Sequence, residues 1–185
     1  MEYDNILNTQ RNIIYKDRDR LSEEDIIEVI LKIAKAEIDK IISRYLSGRE
    51  KGEDIDEKFV AAEIKKLTGI EIHYKIIKHL SADEIFNEVK YRFYNKIAPY
   101  NKESIRKYFR EIALNIVDTA WNDYINTISE LQKEVQLQVY GHKDPLTEFQ
   151  LQSFELFNNL VYEIQMRLLK NIFFAKLENV LEDEQ

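Results

Sequence analysis

Between Lys102 and Gln138 the chain carries neither glycine nor proline. Over that stretch Val117, Trp121, Tyr124, Ile128, Leu131 and Val135 recur at spacings of 4, 3, 4, 3 and 4. A run this long without a backbone breaker and with a heptad seam predicts one continuous helix that buries a single side. At about 36 residues it would extend on the order of 54 Å, at 1.5 Å per residue. Asp144-Pro145 then supplies a cap residue followed by proline at the first helical position, where the missing N–H leaves no bond unmade. A second long helix is predicted from there to about Leu181, with Phe154, Phe157, Val161, Ile164 and Leu168 on its seam. Two seams joined by a short connection pair by folding back into an antiparallel hairpin.

The rest of the sequence is also poor in breakers, with 4 glycines and 2 prolines in all 185 residues. A first helix is expected over about Tyr3 to Arg20, with Tyr3, Ile6, Leu7, Gln10 and Ile14 on one face. Ser22-Glu23-Glu24-Asp25 reads as the N-terminal cap of a second helix. That helix carries Ile27, Ile30, Leu31, Ala34, Ile38, Ile41, Ile42 and Tyr45, runs to about Leu46 and is expected to stop at Gly48. Residues 48–54 are loop-like, and a short helix should follow from Asp56 to Leu67 with Gly69 as its C-cap. Ile70 to Leu80 alternates poorly and suggests a short extended piece. Ser81-Ala82-Asp83-Glu84 is a capping box for a helix through Ile85, Val89, Phe93 and Ile97, ended by Pro99. The expected fold is all-α, with long scaffold helices, a small helical wing and a long two-helix hairpin. Its segments are 1–47, 48–101 and 102–185.

Charge and chemistry exclude several function classes. The formal net charge is −7, which opposes general nucleic-acid binding, because neutralising phosphates requires a basic surface. There is no cysteine, hence no disulfide, thiolate metal site or thiol nucleophile, a composition that fits the cytosol. The amino terminus lacks a basic region followed by an apolar one, and no stretch has the length of a membrane span. The four glycines are followed by Arg49, Glu53, Ile70 and His142, so no phosphate-cradling loop is encoded. His73, His79 and His142 show no His-x-x-x-His spacing for a metal. Glu23-Glu24 and Glu182-Asp183-Glu184 read as a helix N-terminal charge and a solvated tail. Phe149, Phe154, Phe157, Phe173 and Phe174 read as core packing. The chain alone is therefore expected to have no catalytic residue, bound cofactor or metal.

Two strings carry a family resemblance. The first is Glu2-Tyr3-Asp4-Asn5-Ile6-Leu7-Asn8-Thr9-Gln10-Arg11. The second comprises Asp118 to Trp121, then Leu131, Val135 and Leu137, then Tyr140-Gly141-His142-Lys143-Asp144-Pro145-Leu146, then Glu148-Phe149, then Phe154-Glu155-Leu156-Phe157. Together they resemble the C-terminal region of the SecA preprotein translocase motors, in the family's order and bracketing nearly the whole chain. The resemblance implies a scaffold helix for the first string, a helical wing for the middle section and a two-helix finger for the end. It gives Tyr3, Asp4, Leu7, Gln10, Arg11, Trp121, Leu131, Phe154 and Phe157 structural roles. It also implies that the finger tip, Val139, Tyr140, Gly141, His142, Lys143, Asp144 and Pro145, meets a SecY-type channel and the unfolded preprotein, with Tyr140 touching the moving chain. A phenol suits that task because it offers apolar area and one hydrogen bond to any sequence.

In that family the hairpin also restrains ATP hydrolysis until channel and substrate engage. The ATPase domains, with their ATP and magnesium, precede this region in that family and are absent here, so a dissected C-terminal fragment is expected, with a separately encoded piece as the alternative. The implied location is cytoplasmic, peripheral at the inner face of the cell membrane. Homo-oligomers are a further expected partner state, through apolar surface left uncovered. Gln138, Glu134, Tyr124 and Gln152 stand where the family usually has Arg, Gly, His and Glu, and the Cys-rich zinc tail is absent; such departures suggest an accessory paralogue or a divergent lineage. Gln138 cannot make arginine's bidentate charged contact. The alternative from another class is an independent helical adaptor or oligomerisation module that binds a partner helix through the heptad seam.

Overall fold

A computed structural model describes residues 2–51, 56–137, 144–178 and 180. Among the described residues the chain forms seven helices and no strand: α1 Glu2–Glu23, α2 Ile26–Glu50, α3 Glu57–Thr68, α4 Tyr74–Ile77, α5 Ala82–Ile97, α6 Lys102–Leu137 and α7 Pro145–Phe173. The all-α expectation holds.

Several boundaries follow the expected capping chemistry. Asp56 accepts the Phe59 amide to open α3, and Gly69 closes it at φ 72°, the one left-handed residue among those described. A side chain at Gly69 would also meet the ring of Phe174, since a Cβ there lies 3.0 Å from Phe174 Cε1. Ser81 and Glu84 form the reciprocal capping box of α5, which ends at Ile97 just before Pro99.

Other boundaries differ, each for a local reason. The break between α1 and α2 is capped by Asp25, not Ser22. The Ser22 hydroxyl turns back to the Arg18 carbonyl at 3.3 Å, while buried Leu21 keeps α1 helical. Gly48 does not stop α2; it is buried inside the last turns, where Arg49 donates to the Tyr45 hydroxyl and lies over its ring. The stretch expected to be extended contains α4, one helical turn whose cap is His73 Nδ1, accepting the Lys75 amide at 3.2 Å. α7 ends at Phe173, well short of Leu181, where Lys96 Nζ donates to the Phe173 carbonyl at 2.5 Å. That bond supplies a partner to one of the carbonyls a helix end leaves open.

By contact the chain forms two compact units. Unit 1 is Met1–Glu24 with Glu111–Arg167, and unit 2 is Asp25–Arg110 with Leu168–Gln185. These cut the chain at other points than the three expected segments, because α6 and α7 each contribute to both units. In unit 1 the α6 seam is buried at all six expected positions from Val117 to Val135. Of the expected α7 seam, Phe157, Ile164 and Leu168 are buried and Val161 is half-buried, whereas Phe154 is 64% exposed. Phe149, Ser153 and Leu160 complete the buried side.

Unit 2 is built on α2, whose Ile27, Ile30, Leu31, Ala34 and Ile38 are buried. Phe93 of α5 packs its ring against Phe109 and Phe173, with centroids 6.2 and 4.5 Å away. Burying such a ring contributes on the order of 1.5–3 kcal/mol. Polar ties cross the same unit: Tyr94 Oη donates to Glu28 Oε1 at 2.9 Å, and Lys35 reaches Asp83 at 2.9 Å.

Asp25 joins the start of α2 to α6. Its carboxylate accepts the Ile27 amide at 3.0 Å and two Arg106 donors at 2.8 and 3.1 Å. Burial alone would raise this carboxyl, but the bonds from Arg106 and Ile27 and the attraction of Arg106 and Arg110 together hold it below its ordinary value. A carboxyl lowered on folding adds stability above its unfolded pKa of about 3.9 and loses it as pH falls through the folded value. Asp25→Asn keeps a capping oxygen and removes the charge. It should therefore melt below the wild type at pH 7, with the gap closing as pH drops from about 5 to about 2. A gap that stays constant across thermal melts in that range would contradict this role.

Candidate functional site

The proposed working end is the connection between α6 and α7. Val139, Tyr140, Gly141, His142 and Lys143 lie outside the described residues; Asp144 and Pro145 lie inside them. Asp144 caps α7 as its chemistry predicts. Its Oδ2 accepts the Thr147 hydroxyl at 2.8 Å and the Thr147 amide at 3.2 Å, and its carbonyl accepts the Glu148 amide at 3.1 Å. The Thr147 hydroxyl and amide hold the Asp144 carboxyl below its ordinary value. Pro145 follows as the first residue of α7.

The connection is set on unit 1, where α1 joins the two long helices. Tyr3 of α1 meets the edge of Phe149 of α7, with centroids 4.8 Å apart. Arg18 grips Asp118 of α6 with two parallel bonds, Nε to Oδ1 at 2.7 Å and Nη2 to Oδ2 at 3.1 Å. Both partners are part-exposed, so the pair adds at most about 1 kcal/mol, yet its fork geometry fixes an orientation. Deeper in, Tyr124 Oη donates to Gln10 Oε1 at 2.8 Å, with the Ser153 carbonyl also within reach. Burial pushes the Tyr124 phenol above its ordinary value, partly countered by the Gln10 bond; it stays protonated and remains a donor.

The residues expected from the two strings divide into two groups. Gln10, Trp121, Leu131 and Phe157 are buried in unit 1, and Tyr3 and Leu7 are half-buried there. Asp4, Arg11 and Phe154 are exposed. Ser153 was not singled out by pattern, although it is the one polar residue in a stripe of large apolar ones. Among the described residues no group of His, Asp and Glu could hold a metal ion, and no helix is long and apolar enough to cross a membrane. His73 is engaged in capping and stacks on Tyr74 at 4.9 Å.

Residues 1–176 match the sequence profile of the SecA Wing and Scaffold domain. The chain belongs to that family. It is similar to the protein translocase subunit SecA of Halothermothrix orenii, 31% identical over 178 residues, which covers 94% of this chain and 21% of the relative. The SecA subunit of Clostridium kluyveri is 26% identical over 198 residues, covering 100% of this chain and 23% of its own length. That of Caldicellulosiruptor saccharolyticus is 29% identical over 192 residues, with 100% and 22% covered. The chain thus spans about a fifth of the length of these relatives. The matched family is defined by its wing and scaffold, and the match takes in α1 to α7 together with the connection between the long helices.

Loss of the Asp144 cap should loosen the base of that connection without unfolding unit 1. Asp144→Ala is expected to speed amide exchange at Thr147 and Glu148 several-fold at neutral pH and to leave exchange at Leu160 unchanged. Equal exchange at Thr147 in both proteins would show that the carboxylate does not hold the first turn.

Proposed function

We propose that this chain is the wing, scaffold and two-helix finger of a SecA-type motor for ATP-driven protein export. On this reading residues 1–47 belong to the helical scaffold, 48–101 form the wing, and 102–185 form the finger and the C-terminal scaffold helix. The tip, Val139 to Pro145, contacts a SecY-type channel and the unfolded preprotein, with Tyr140 against the moving chain. ATP and magnesium are bound by other domains of such a motor; this chain contributes contacts and no catalytic residue, cofactor or metal. Its place is cytoplasmic, peripheral at the inner face of the membrane, with no nucleic-acid partner.

The observation that carries this reading is the family match over residues 1–176, supported by two long helices, α6 and α7, whose connection ends in the Asp144 cap. The physics agrees. A preprotein presents every kind of side chain, so the contact must be sequence-tolerant, which an aromatic phenol provides. The hairpin is further proposed to couple channel and ATPase, which requires both to bias the same two states.

A second reading, a helical adaptor or oligomerisation module, draws on Leu151 and Phe154. These lie on the outward side of α7, 61% and 64% exposed, where a partner helix or a second copy could cover them. The two readings separate at the tip. In a full-length motor carrying this region, Tyr140→Ala and Lys143→Ala should reduce ATP-dependent export several-fold while leaving the melting temperature unchanged. Normal export by both variants in a vesicle translocation assay would sink the finger assignment and favour the adaptor.

A further inference from the structure

Among the described residues of unit 1, one polar layer lies in a core that is otherwise apolar. Gln10 of α1, Tyr124 of α6 and Ser153 of α7 are 6%, 5% and 1% exposed. Tyr124 Oη donates to Gln10 Oε1 at 2.8 Å, and Gln10 Nε2 donates to the Ser153 carbonyl at 3.4 Å. The phenolic oxygen lies 3.3 Å from the same carbonyl. A phenol has one hydrogen and can serve one acceptor at a time. The relay from phenol to amide to carbonyl is the arrangement that employs all three groups. Each helix contributes one member, so the relay closes only when α1, α6 and α7 are level with one another.

The neighbours of this layer make every other alignment costly. On α7, Ser153 sits one turn from Phe149 and one turn from Phe157, both buried. On α6, Tyr124 lies between buried Trp121 and Ile128, and on α1 the buried residue a turn beyond Gln10 is Ile14. Sliding one helix by a turn, about 5.4 Å, would bring a phenylalanine, tryptophan or isoleucine to the layer. A slip of α1 or α6 would part the phenol from the amide, and a slip of α7 would take the Ser153 carbonyl from the amide, so each leaves a polar group in a dry core without its partner. Ser153 also acts through its size, because a large side chain there would hold the α7 carbonyl away from the other two groups. The apolar stripes give no such discrimination, since they repeat from turn to turn and pack nearly as well after a slip.

We infer that the Gln10–Tyr124–Ser153 layer is a register lock, which fixes α1, α6 and α7 in one axial alignment while adding little net stability. It thereby sets where α6 ends and α7 begins relative to α1. The inference stands on the packing of unit 1 and does not depend on the export reading.

The chain has no native cysteine, so a pair of spin labels tests this cleanly. Asn115→Cys on α6 and Glu155→Cys on α7 are both exposed sites within unit 1. In the otherwise unchanged chain, pulsed EPR should give one narrow distance. In the Gln10→Leu/Tyr124→Phe background it should give a second population displaced by about 5 Å, one helical turn, with a melting temperature equal to or above that of the parent. A single narrow distance at the parent value would overturn the lock. Tyr124→Phe alone removes only the hydroxyl and should already broaden the distribution. Unfolding of either variant at 25 °C would also overturn the proposal, because the layer would then be needed for stability itself.

Discussion

Helices of 36 and 29 residues gain little from their ends and must be stabilised along their sides, by burying one apolar stripe against a neighbour. The rest of this structure depends on that lateral packing. In unit 1 the α6 seam from Val117 to Val135 is buried, and Tyr124 on it meets Phe157 of α7 and Gln10 of α1. In unit 2 the stripe of α2 and the Phe93, Phe109 and Phe173 rings do the same work. Scarcity of glycine and proline makes such helices possible, and apolar periodicity decides which side each one buries.

Much of this was legible in the sequence, because capping and periodicity are local. Asp56, Gly69, Ser81, Glu84, Asp144 and Pro145 act where their chemistry places them. The α6 seam was equally readable, since its heptad offers only one apolar side. α7 was harder. It has apolar residues on two sides, and the stripe through Phe154 looks as good on paper as the one through Ser153. The buried side is chosen by what faces it, Tyr124 and Gln10 from helices far away in sequence, and a serine that fits there does not advertise itself by hydrophobicity. Gly48 misled for a related reason. Glycine permits a left-handed stop without requiring one, and the packing of Tyr45 beneath Arg49 carries α2 past it.

The ties that join helices across long separations were not legible. Arg18 with Asp118 and Asp25 with Arg106 pair residues 100 and 81 positions apart. Nothing local distinguishes these side chains from the many other charges on helix surfaces. The proposed working end could be located from sequence as the break between two seams, and its chemistry came from family resemblance. Asp144 is the part of that end whose role geometry supplies independently: it anchors the first turn of α7. The chain's membership of the SecA Wing and Scaffold domain family sets these packing arrangements in context, and on the function proposed above a part that transmits contact needs defined alignment more than it needs reactive groups.

The claim that this chain works as the contact-making part of an export motor is tested most directly by exchange. The region of the Halothermothrix orenii translocase subunit that matches it can be replaced by this chain, and ATP-dependent movement of a preprotein into membrane vesicles measured. The account predicts that the chimera moves preprotein above the level seen without ATP. A chimera that folds and hydrolyses ATP at the parent's rate, yet moves no preprotein, would contradict it.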